Sequence, residues 1–161
     1  MKKYLENEQH NSYEFELGEE IVVKDQWKRE YSFKTFLYEL PTGFSLEAKE
    51  LRKDELPGYE FNLFLNIDED LEDGKKMLIR KIQRGLNRRH LIKENGKWVI
   101  SKREMLRGKI EWNDNFSDTN YDRVFVIDGK RITMEKFGEM FERWEGWHFK
   151  FKIVDRYDRD A

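Results

Sequence analysis

Aromatic side chains dominate the apolar inventory of this 161-residue chain: twelve Phe, seven Tyr and five Trp against only two alanines, Ala48 and Ala161. Each aromatic hides roughly 150–250 Å² when buried, so these rings must supply most of any core. Large, flat and branched side chains fit the pleated surface of a sheet better than the close contacts of a helix bundle. The chain is therefore expected to be sheet-rich.

Alternation places the strands. Tyr13, Phe15 and Leu17 alternate with Glu14 and Glu16, and Gly18 marks a turn before Ile21 to Val23. Residues 32–40 carry Phe33 and Leu37 on one face and Phe36, Tyr38 and Leu40 on the other, the pattern of a strand inside a sheet. Pro41-Thr42-Gly43 turns this strand into Phe44 to Leu51, where Phe44, Leu46 and Ala48 point one way and Ser45, Glu47 and Lys49 the other. That second set of side chains is expected to face water, on a strand able to serve as an edge. After Pro57-Gly58, the run Tyr59 to Ile67 stacks Phe61, Leu63, Leu65 and Ile67 on one face.

Charge then changes sign abruptly. Between Glu47 and Asp73 there are ten acids and three bases, whereas Lys75 to Lys93 holds eight bases and no acid, within a net charge of −2. Asp68, Glu69 and Asp70 suit the positive end of a helix, which is predicted from near residue 69 to near residue 88. Leu71, Leu78, Ile79, Ile82 and Leu86 keep to one stripe, which lies between 300° and 40° when Lys75 is set at 0°, and Lys76, Arg80, Lys81, Arg84 and Arg88 make a basic outer face.

In the second half, Asn95-Gly96 predicts a hairpin between Leu91 to Glu94 and Lys97 to Ser101. Strands are expected at Leu106 to Trp112 and Val124 to Ile127, separated by a polar loop over 113–122 and followed by a turn at Asp128-Gly129. Thr133 is the cap of a second helix with Met134, Phe137, Phe141 and Trp144 buried, Gly138 packed closely and Gly146 ending it. A last strand places Trp147, Phe149, Phe151 and Ile153 inward, against His148, Lys150 and Lys152 outward. By this reading Trp144 and Trp147 are core residues. The sum is an α+β fold, with an antiparallel or mixed sheet of roughly eight strands covered by two helices. It forms one domain, or two halves at 1–90 and 91–161.

Residues that carry chemistry do not converge. With no cysteine, a disulfide or thiolate metal site is excluded. His10, His90 and His148 are scattered, so no metal site is expected. Asp68, Asp70, Glu72 and Asp73 resemble the opening of a calcium loop. However, Asp73 and Ile79 stand where glycine and the bidentate glutamate are required, and the loop at Asp118, Asn120 and Asp122 fails the same test. Arg84, Asn87 and His90 have the spacing of helical ribonucleases that use one arginine and one histidine, but His90 falls past the helix end. Ser45, Ser101 and Ser117 have no base nearby in sequence, and no phosphate loop or dinucleotide fingerprint is present. No catalytic residue and no cofactor are assigned.

The segments Gly108-Lys109-Ile110-Glu111-Trp112, Phe125-Val126-Ile127-Asp128-Gly129-Lys130, Phe137-Gly138-Glu139-Met140 and Glu145-Gly146-Trp147-His148-Phe149-Lys150 together resemble an uncharacterised family of conserved bacterial proteins, a domain of unknown function. The resemblance is confined to residues 107–155, under a third of the chain, and in that family an aromatic often stands where Met134 is here. It implies a bacterial origin and a strand, helix, strand ending, and it brings no activity with it.

The expectation is therefore a non-enzymatic binding or accessory protein that contacts an unknown protein partner through a sheet face or the basic helix. The alternative is a nucleic-acid-binding protein that lays Lys75, Lys76, Arg80, Lys81, Arg84 and Arg88 against phosphates. A third reading pairs these bases with the acids upstream. Met1 to His10 lack the pattern of a secretory leader and no stretch has the ~20 apolar residues of a membrane helix, so no membrane contact and a cytoplasmic location are expected.

Overall fold

The computed structural model describes residues 2–5, 17–56, 58–102, 105–113 and 123–158. The strand expected at Tyr13 and Phe15, and residues 114–122 of the loop expected over 113–122, lie outside the described residues. The chain divides into two compact units, Met1–Arg88 with Val154–Ala161, and Arg89–Ile153.

The first unit is one five-stranded sheet in the order β1 (Lys2–Leu5), β2 (Glu20–Lys24), β3 (Glu30–Leu40), β4 (Gly43–Glu50), β5 (Glu60–Asn66), followed by α1 (Leu71–Asn87). Strand β1 runs parallel to β2, and every later pairing is antiparallel. Period-2 alternation puts Phe33, Leu46, Ala48, Phe61, Leu63 and Leu65 on one face, and the α1 stripe of Leu78, Ile79, Ile82 and Leu86 closes over them. Phe33 and Phe61 meet edge to face, their centroids 5.8 Å apart. The helix is capped by Asp70, whose side chain accepts from the Asp73 N–H at 3.0 Å, and it carries Glu72 and Asp73 in its first turn.

Two glycines of α1 let the helix approach the sheet. A Cβ at Gly74 would collide with the Leu65 side chain, and one at Gly85 with the Phe61 ring. The close packing expected at Gly138 is absent, since that residue is exposed and a Cβ there meets nothing within 4 Å.

Strand β4 is not an edge. It pairs with β3 on one side and β5 on the other, and its second face is buried at Ser45 and Glu47. The reason is the C-terminal segment. The Tyr157 hydroxyl lies 3.2 Å from that of Ser45, its ring packs near Phe64, and Arg156 reaches Glu47. Ile67, expected in the β5 stripe, is exposed because the strand ends at Asn66 and the chain turns.

The second unit holds two smaller sheets. The hairpin β6 (Leu91–Glu94) and β7 (Lys97–Ile100) turns at Asn95 and Gly96, whose φ values of 47° and 81° are the left-handed pair its two-residue loop requires. The second sheet has the order β10 (Lys130–Thr133), β9 (Arg123–Ile127), β8 (Lys109–Trp112), so the strand expected from Leu106 is shorter than its pattern. Leu91, Ile100, Ile127, Ile132 and Met140 form the core, with Phe125 stacked on Phe137 at 4.2 Å. The Asp128 carboxylate accepts from the His90 and Leu91 N–H groups, both at 2.8 Å, and so ties the hairpin to the β9–β10 turn.

The fold is thus α+β, but among the described residues the single sheet of roughly eight strands is replaced by separate sheets of five, three and two. The second helix is also shorter than expected. Thr133 caps α2 (Met134–Glu139) by accepting from the Lys136 N–H, but the helix stops after six residues and a 3-10 turn at Glu142–Trp144 follows. Met140 is buried in place of Phe141, which is exposed. The final strand does not form. Trp147 is 64 % exposed and Phe149 88 %, since among the described residues no strand pairs with this segment. Trp147 is therefore not a core residue.

Candidate functional site

The six cations singled out in the sequence as candidate phosphate contacts do not stay together. Lys75 is buried and its Nζ lies 2.7 Å from Glu72 Oε1, while Lys76 Nζ lies 2.9 Å from Asp73 Oδ1. The Asp73 carboxylate beside it holds the Lys76 ammonium above its ordinary pKa. Both are i, i+3 pairs with the acids of the first turn, so the pairing of bases with upstream acids holds for this end of the helix.

Lys81 is only 6 % exposed, and its Nζ donates to the backbone oxygens of Asn62 at 2.9 Å and Asp158 at 2.5 Å. Its position at the flank of the apolar stripe explains this. A long aliphatic stem lets the ammonium of a largely buried lysine reach polar groups beyond the apolar stripe. There it satisfies backbone oxygens that would otherwise be desolvated.

Arg80 and Arg84 remain exposed, one helical turn apart. With Lys81 they line a groove of about 510 Å³ whose other walls are Leu63, Met77, Gln83 and Asn87. The structure therefore brings Arg80, Lys81 and Arg84 together and leaves Lys75, Lys76 and Arg88 outside the groove. Arg88 is the half-buried C-cap, its N–H donating to the Gly85 oxygen at 3.3 Å. The groove offers an apolar floor beneath a cationic rim, which suits an acidic ligand that also has apolar surface.

Other candidate chemistry resolves into structural roles. His90 is buried, and its Nδ1 lies 2.8 Å from the Met105 oxygen. On the outer face of the first sheet, Arg156 lies 2.9 Å from Glu47 Oε1, 3.6 Å from Glu60 Oε1 and 3.3 Å from Asn62 Oδ1, clamping the C-terminal segment in place. Arg52 and Asp54 pair at 2.7 Å, which holds the Asp54 carboxyl below the usual carboxylate range and raises the guanidinium. Among the described residues no cluster of three His, Asp or Glu can hold a metal ion, and no helix is long and apolar enough to cross a membrane.

One arrangement went unread in the sequence. Lys93 Nζ and Lys130 Nζ lie 5.8 and 4.6 Å from the centre of the half-exposed Trp98 ring, and Arg123 lies 4.3 Å from that of Trp112. The first contact was legible, because the two-residue turn fixes Lys93 opposite Trp98. The contact from Lys130 depends on how the two sheets of this unit meet.

Two uncharacterised domain families cover most of this chain. Residues 14–87 match the family model of a domain of unknown function, DUF7686, and residues 90–158 match that of a second, DUF7713. The segment whose resemblance was read from residues 107–155 falls within the latter. No curated protein and no solved structure matches the chain.

Proposed function

We propose that this is a binding protein that holds an acidic segment of a partner protein in the groove beside α1. The observation that carries the reading is the exposed pair Arg80 and Arg84 beside the half-buried Met77 in one concavity, with Lys81 and Leu63 as its buried wall. A phosphate backbone has little use for the apolar floor, whereas an amphipathic acidic peptide fills both parts. Arginine at the rim adds bidentate recognition of carboxylates.

A second reading rests on Arg80 and Arg84, four residues and so about 6 Å apart in rise along α1, with Arg88 at the C-cap beyond them. That row suits the phosphates of a nucleic acid. The two readings separate by salt and probe. A labelled amphipathic acidic peptide and labelled single- and double-stranded RNA and DNA are titrated at low and physiological ionic strength. The proposal expects peptide binding that Arg80→Glu with Arg84→Glu abolishes and that salt weakens modestly. Tight oligonucleotide binding that collapses with salt promotes the second reading instead. Binding of neither probe removes the groove as a site.

A further inference from the structure

The segment Trp147-His148-Phe149-Lys150-Phe151-Lys152-Ile153 has the composition and alternation of a strand, with four large apolar residues interleaved with three basic ones. In the structure it forms no strand. After the Trp147 N–H, which donates to the Trp144 oxygen, residues 148–153 make no hydrogen bond and no ion pair among the described residues. Trp147, Phe149, Phe151 and Ile153 are all 64 % exposed or more. A chain section with strong strand preference, bare backbone groups and exposed rings is a template for pairing with another strand.

We propose that residues 147–153 are a docking strand for an extended segment of a partner protein in which acidic residues alternate with apolar ones. Pairing would satisfy the bare N–H and C=O groups. On one face it sets His148, Lys150 and Lys152 opposite carboxylates, and on the other it sets the aromatic residues opposite apolar side chains. Charge decides against a second copy of this chain. Antiparallel registers that keep apolar residues opposite apolar ones set Lys150 against Lys150 or Lys152 when centred on residue 150 or 151, and within the segment no register sets a carboxylate opposite either lysine. Parallel pairing in register likewise sets Lys150 against Lys150. Charge placement also decides against single-stranded nucleic acid. Once the segment is extended, its rings and its cations project to opposite faces, so a base stacked on Phe149 carries its phosphate away from Lys150. This surface lies in the second unit and does not depend on the groove beside α1.

The test uses the full chain, a labelled peptide alternating glutamate with valine, and a matched peptide with lysine in place of glutamate. The acidic peptide is expected to bind several-fold more tightly, and to slow hydrogen exchange of the amides of residues 148–153, which exchange rapidly in the free protein. The double variant Lys150→Glu with Lys152→Glu, checked for unchanged circular dichroism, should invert the preference. Equal affinity for the two peptides, or no binding at about millimolar concentration, overturns the proposal. So does slow exchange of these amides in the free monomer. Self-association that the double variant weakens would make the occupant a second copy, and preferential binding of oligothymidine by this segment would make it a nucleic acid; either also overturns it.

Discussion

Phe33 and Phe61 meet edge to face beneath α1 in the first unit, whereas Phe149 and Phe151 in the second stand in water, although all four sit in alternating runs of similar strength. The difference is neighbours rather than pattern. Phe33 lies on a strand paired on both sides and roofed by a seventeen-residue helix, so each inward residue finds partners. The second unit has a six-residue helix and short sheets, and its core of Leu91, Ile100, Ile127, Ile132 and Met140 is packed by Leu106, Phe125, Phe137 and Trp144 rather than by residues 147–153. An alternating run with no strand beside it has nothing to pack against. A period-2 pattern thus states readiness to pair, and in this protein the unpaired run is the one that matches a docking role.

The sharpest break in that comparison is Phe33→Ala. It removes a fully buried ring and is expected to cost about 3–5 kcal/mol in chemical denaturation, a large share of what holds a domain of this size. A loss under 1 kcal/mol would mean that the first core is far looser than its packing. Asp128→Ala removes the carboxylate that two backbone N–H groups share, and a loss of about 1–3 kcal/mol is expected, read as early melting of the second unit.

Helix caps sharpen the comparison further. Asp70→Ala should cost about 1 kcal/mol because α1 is long and roofs a core, while Thr133→Ala, capping a single short turn, should cost about half that. Equal losses would indicate that α2 matters to its unit as α1 does to the first. At the small end, Phe149→Ser should leave stability within about 0.5 kcal/mol, because the ring is already hydrated. A larger loss in the free protein would show that this ring is packed after all.

Much of the first unit was legible residue by residue. The turn at Pro41-Thr42-Gly43, the β5 stripe and the capped amphipathic α1 are local features, set by turn chemistry and periodicity. The candidate site was half legible. Arg80 and Arg84 are where helical periodicity puts them, but Lys81 sits at the margin of the stripe. Only the presence of the β5 backbone oxygens decided that its ammonium turns inward. Ser45 and Glu47 misled for a similar reason, since their polarity predicts a wet face and a segment more than a hundred residues later covers it.

Local order, then, came from the sequence alone: where the chain turns, where most strands lie, which face of α1 is greasy, and how Asn95-Gly96 and Asp128-Gly129 set their hairpins. These follow from the conformational preferences of a few adjacent residues and from a periodicity each segment carries within itself. Only the tertiary structure decided that the described strands form three sheets rather than one, that Lys81 leaves the basic face, and that residues 147–153 remain unpaired. Burial and strand pairing are properties of two surfaces at once, and a segment encodes only its own.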